Sequence, residues 1–222
     1  MAISFDATSY SGLNAGGSTH TFSHTTSGSD RYLFVHVISI TTYSTVSGIT
    51  YNGSSMTLLE EGLVYDGTYF GHLYGIVNPA SGAHDVVVTF SEAVISFEVG
   101  FSYNGVHQTT PINASDYITH AASASPTSFS LTTSVANCWL VMYATGAAGY
   151  PSADSGTTYR DTLGVADGDS TSAVYDSNAG LSAGANSLNL ISGVDPDDFS
   201  ALIVALEPSG GSAVNSGFLS FM

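Results

Sequence analysis

The sequence predicts an all-β protein, a jelly-roll-like β-sandwich with an internal duplication of its strand sets. Three observations predict it. Short runs rich in Val, Ile, Thr, Tyr and Phe recur between turns of Gly, Asn and Ser, and no stretch carries the apolar period of about 3.6 residues that a helix needs. Residues 95–103 alternate apolar odd positions with Ser96, Glu98, Gly100 and Ser102, the two-residue period of a strand with one dry and one wet face. Finally, the two halves echo each other: Phe22-Ser23-His24-Thr25-Thr26-Ser27 returns as Phe129-Ser130-Leu131-Thr132-Thr133-Ser134, and Tyr32-Leu33 as Trp139-Leu140.

In chain order, the first strand set is read at residues 3–5, 19–22, 32–40, 49–59, 70–77, 86–90 and 95–103. The second is read at 128–132, 139–144, 158–163, 173–176, 188–191 and 199–206. Residues 85–90 and 95–103, parted by the polar Ser91-Glu92-Ala93, read as an antiparallel hairpin, and Tyr103-Asn104-Gly105 as a turn that wants positive φ. Two further echoes extend the duplication, Thr50-Tyr51 with Thr158-Tyr159 and 97–103 with 199–205. Neither half shows enough two-faced strands to close a sandwich alone. The expectation is one domain over 1–208, built from halves of about 1–107 and 108–208, with 209–222 a flexible linker and an apolar C-terminal tail.

Charge restricts the partners. Eighteen acidic side chains stand against two basic ones, Arg31 and Arg160, for a net charge of −16. Nucleic acid and anionic membrane surfaces are excluded as partners, because both need clustered Lys or Arg. Cys138 is the one cysteine, so no internal disulfide forms, and its run 138–143, apolar on both faces, marks it as inert core. The opening residues lack the basic start and long apolar run of a signal peptide, and no apolar run reaches membrane-spanning length, which sets the expectation of a protein made and folded in a cytoplasm.

No catalytic signature emerges, and no cofactor is expected. Glu60-Glu61, Glu98, Asp167-Gly168-Asp169 and Asp195-Pro196-Asp197-Asp198 supply carboxylates. Turn chemistry accounts for the aspartates, with calcium as the alternative for the 167–169 and 195–198 clusters. The seven histidines show no zinc-site spacing, and His36 aligns with Tyr143 in the duplicate. Among thirteen tyrosines, Tyr65, Tyr69, Tyr117 and Tyr150 lie in polar, glycine-rich surroundings and are the candidate ligand or interface aromatics. Strands 32–40 and 138–143 are apolar on both faces and call for a further layer or a second subunit, hence an expected homo-oligomer. Phe218, Leu219, Phe221 and Met222, on the flexible lead, are the candidate docking contacts of the tail.

The segment 46–58 with its Tyr51-Asn52-Gly53 turn, the segment 73–88 with Asn78-Pro79 ahead of a valine-rich run, the exit 103–111 ending Gln108-Thr109-Thr110-Pro111, and the closing 201–208 together resemble a recurrent β-sandwich domain. That domain occurs in structural proteins of tailed bacteriophages and in bacterial surface proteins. The resemblance implies a non-enzymatic virion component, a decoration, head-fibre or tail protein located on the particle among other virion proteins; it specifies fold and carries over no functional residue. The alternatives are a carbohydrate-binding module or adhesin that meets a host-surface glycan and, behind it, a polysaccharide-degrading enzyme, which needs two carboxylates about 5–10 Å apart across a groove.

Overall fold

The computed structural model describes residues 1–43, 45–64, 69–120, 127–147, 152–164, 170–191 and 199–210. Among them there is no helix. Fifteen antiparallel strands follow in order: β1 (Ser4–Thr26), β2 (Tyr32–Ser39), β3 (Val46–Tyr51), β4 (Ser54–Ser55), β5 (Thr57–Val64), β6 (Tyr69–Val77), β7 (Gly82–Asn104), β8 (Ile112–His120), β9 (Thr127–Thr133), β10 (Trp139–Ala147), β11 (Ser152–Ala153), β12 (Thr158–Gly164), β13 (Ser170–Asp176), β14 (Gly184–Ile191) and β15 (Phe199–Leu206).

The expected hairpin at 85–103 is a single strand. β7 runs unbroken for 23 residues and pairs along its whole length with the equally long β1. On its other edge β2 takes the C-terminal part and β3 the N-terminal part. Ser91, Glu92 and Ala93 are exposed strand residues, because the ladder continues past them through Ile40 N–H to the Ile95 carbonyl and Ser91 N–H to the Thr45 carbonyl. None of the three has the positive φ that a tight turn requires. Positive φ is found instead at Asn52 (47°) and Gly53 (75°), where the β3–β4 hairpin reverses, and at Gly105 (72°), which ends β7 as expected.

The duplication is real and extends to its irregularities. The first half carries the strand order β5-β6-β2-β7, with β1 beyond β7; the second carries β12-β13-β10-β15-β8. Tyr32 pairs with Tyr103 as Trp139 pairs with Leu206. β5 bulges against β6 between Leu58 and Glu60, and β12 against β13 between Tyr159 and Asp161. β1 bulges at Asp6, where Phe5 and Ala7 face Tyr103 and Ser102; β8 bulges at Asn113, where Ile112 and Ala114 face Leu206 and Ala205. Thr26 faces Gly82 as Thr133 faces Gly184, so β9 and β14 repeat the far ends of β1 and β7. The Thr50/Thr158 echo does not survive: Thr50 lies on β3 and Thr158 on β12, whose counterpart is β5. The echo of 97–103 with 199–205 lies one residue out of the observed register.

Three cores result. The two inner sheets pack face to face through Phe34, Val99, Phe101 and Tyr103 from one half and Trp139, Val141, Leu202 and Val204 from the other. Behind each inner sheet lies a second core wholly within its own half. In the first half Leu33, Val35, Ile49, Val86 and Val88 form it, and in the second Leu140, Met142, Phe129, Leu188 and Ile203. Each half thus closes a core of its own, contrary to the expectation from its strand pattern. The strands apolar on both faces find both covers inside the chain, and all of β2 is buried.

Candidate functional site

The duplication lets each half serve as a control for the other. On β7, Phe97, Val99, Phe101 and Tyr103 enter the shared core while Ser96, Glu98 and Ser102 point into the core of the first half. That face was expected to be wet. It is buried because the outer parts of β1 and β7 fold back over it, leaving Glu98 1% exposed. In the second half the same face is apolar: Ser102 lies beside Leu33 where Ala205 lies beside Leu140, and Glu98 beside Val37 where Ala201 lies beside Ala144. The counterpart of His24 is Leu131, and that of His72 is Ala173. The fold therefore stands without this polar lining, and we take the lining as the candidate site.

Glu98 is the centre of one network. Its Oε1 accepts from Ser96 Oγ at 2.5 Å and from His20 Nδ1 at 2.9 Å; its Oε2 accepts from Asn14 Nδ2 at 2.5 Å and from the Ser11 hydroxyl. Ser11 and Asn14 reach it because β1 loses register between Tyr10 and Leu13 and again after Ala15, so that residues of an edge strand turn inward. His24 is the centre of the other. Its Nδ1 lies 2.7 Å from Ser9 Oγ and its Nε2 3.1 Å from Ser102 Oγ, and Ser102 donates in turn to Asp6 at 2.9 Å. Burial pushes His24 down to about 4, an effect that the Asp6 carboxylate only partly offsets. The ring is therefore neutral near pH 7, with Nδ1 accepting from Ser9 and Nε2–H donating to Ser102.

His72, also pushed down to about 4 by burial, has Nε2 3.6 Å from Glu61 Oε2. His36 occupies the interface between the halves. It stacks on Tyr143, its own counterpart, with ring centroids 3.8 Å apart, and neither of its ring nitrogens has a hydrogen-bond partner.

This geometry does not build a nucleophile. A serine hydrolase needs its serine on one imidazole nitrogen and its carboxylate on the other. Here Ser96 and Glu98 meet the same nitrogen of His20. Ser9 does meet His24, but the opposite nitrogen faces a hydroxyl, and an imidazole held at about 4 is a weak base at neutral pH. Among the described residues no group of three His, Cys, Asp or Glu side chains converges on a metal position.

The residues singled out from sequence lie elsewhere. Tyr69 is buried at 8% exposure, because it faces the core shared by the two halves and not solvent, and Tyr117 is half-buried against the same core with its ring over Gly62. Tyr65, Tyr150, Asp167, Asp169, the 195–198 cluster and the tail residues Phe218, Leu219, Phe221 and Met222 lie outside the described residues. The exposed tyrosines are Tyr10, Tyr43 and Tyr159, and nothing in their local sequence distinguishes them. Trp139 is buried, as its strand predicts. The buried histidines escaped the sequence reading because their signal is comparative: His24 against Leu131 inside an otherwise matching hexapeptide.

The fold and site define an all-β protein of two matching sandwich halves, one of which carries a polar interior. Set against known proteins, the chain matches no family model, no curated protein and no solved structure.

Proposed function

We propose that this chain is a non-enzymatic virion structural protein, displayed on a phage particle as a decoration, head-fibre or tail component. The observation that carries the reading is the way the chain covers its own apolar faces. Both faces of β2 are buried by other strands of the same molecule, and the outermost strands show solvent a row of Thr19, Thr21, Ser23 and Thr25 in the first half and of Ser128, Ser130 and Thr132 in the second. An exterior of uncharged hydroxyls and carboxylates suits a protein exposed at high local density. The turn and strand motifs that resemble phage sandwich domains support the same reading, and the buried Ser and His contacts described above give no support to an enzyme. Attachment falls to the tail, through Phe218, Leu219, Phe221 and Met222, with other virion proteins or further copies of this chain as partners.

The test is a gradient of purified particles from a lysate that contains the protein. The expected result is co-sedimentation at a fixed stoichiometry, lost when residues 209–222 are deleted while thermal unfolding of the remainder is unchanged. Full-length protein that stays in the soluble fraction would refute the assignment. The carbohydrate-binding alternative rests on the exposed Tyr10, Tyr43 and Tyr159; glycan-array binding that disappears in a Tyr10→Ala, Tyr159→Ala variant would favour it.

A further inference from the structure

All four buried histidines among the described residues, His20, His24, His36 and His72, belong to the first half. In the second half the places of His24, His36 and His72 are taken by Leu131, Tyr143 and Ala173, none of which can take up a proton near neutral pH. We propose that the first half is an acid-released element: protonation of His24, His36 and His72 opens its layers from one another and from the shared core while the second half stays packed.

The surroundings of each ring decide which of them act. His36 has no acceptor at either nitrogen; it faces Tyr143 across the interface and has His72 as its nearest titratable neighbour, so a proton there creates a cation with two unmet donors beside a second prospective cation. His72 has only the half-exposed Glu61 carboxylate, at 3.6 Å, to answer a charge. His24 is packed by Ser9, Ser102 and the Tyr51 ring, with Asp6 beyond Ser102. His20 is bonded directly to the Glu98 carboxylate and is not part of the trigger. The deepest carboxylate of the second half, Asp176, is already gripped by Arg160 at 2.7 and 2.9 Å.

The sign follows from proton uptake. An opened histidine takes its proton near pH 6.5, whereas burial holds His24 and His72 at about 4 and His36 well below its ordinary value. Between those limits the open form binds more protons than the closed form. The open population of the first half therefore rises about tenfold per pH unit for each such histidine as pH falls from about 6.5 towards about 4, and the effect saturates below.

Hydrogen exchange tests it on the intact protein. Samples held between about pH 7.5 and about pH 4.5 are pulse-labelled at one common pH, so that intrinsic exchange rates do not differ. Peptides from β1, β2, β6 and β7 are expected to lose protection while those from β10, β13, β14 and β15 keep it. Loss in both halves at the same pH, as general acid unfolding of an acidic protein would give, overturns the proposal, as does earlier loss in the second half. A variant with the residues the second half uses, His24→Leu, His36→Tyr and His72→Ala, should move the acid midpoint of the first half down by about one pH unit or more. An unchanged midpoint in a variant that is folded at neutral pH also overturns it. Should the triple variant not fold, the labelling of the native sequence decides alone.

Discussion

Gly105 shows how closely single residues are held. It sits at φ 72°, its N–H donates to the Ser29 carbonyl, its carbonyl accepts from Ser209 N–H, and a Cβ placed on it would stand 2.2 Å from the Ala2 carbonyl oxygen. Four segments of chain therefore meet at one residue without a side chain. Gly105→Ala is expected to cost about 3 kcal/mol or more, roughly 1–2 from the left-handed backbone and the rest from displacing Ala2. Gly53→Ala, at φ 75° with nothing within 4 Å, should lose only the backbone part. Urea midpoints of the two variants separate strain from collision, and equal losses would show that the contact with Ala2 contributes nothing.

At the scale of elements, the bulges are the repeated joints of the fold. Asp6, the extra residue in β1, accepts from Ser27 N–H at 2.9 Å; Asn113, the extra residue in β8, accepts from Ser134 N–H at 2.8 Å. Each pins the turn after the second strand segment of its half onto the first, with Ser27 and Ser134 in matching places. Asp6→Ala and Asn113→Ala should each lose about 1–2 kcal/mol, and Asn113→Asp should retain most of the stability, since the acceptor is kept. A loss at only one of the two sites, measured by denaturant unfolding, would show that the clamp is not a shared device. These joints also mark the limit of what the sequence displays. Alternation and turn residues made the strands legible, and the hexapeptide at 22–27 made the duplication legible. The bulges were not, because a one-residue insertion leaves no compositional trace. Nor was the fusion of 85–90 with 95–103 into one strand, because a polar patch in the middle of a long strand reads as a break unless its partner is known. The site was missed for a related reason: Glu98 looks like a solvated residue until the half-sandwich folds over it.

At the scale of the molecule, the halves meet as equivalent faces. Thr8 Oγ1 donates to Asp161 at 2.6 Å across the interface, and Ser115 Oγ donates to Glu60 at 2.5 Å in the opposite sense. Thr8 and Ser115 are counterparts, as are Asp161 and Glu60, so the two bonds are one contact written twice, as a twofold arrangement requires. His36 on Tyr143 lies on that pseudo-axis. The chain is thus built like a dimer whose subunits have been joined, and the join at Thr109 and Thr110 is exposed. Each half has a core of its own, yet alone each would show water the aromatic and aliphatic face that now forms the shared core, at about 1.5–3 kcal/mol for each large side chain. Residues 1–109 and 110–222 made as separate chains are therefore expected to aggregate or remain unfolded singly. Mixed from denaturant, they should recover a one-to-one complex with the circular dichroism of the intact protein. A half that stays monomeric, soluble and folded by itself would show that the shared core is dispensable.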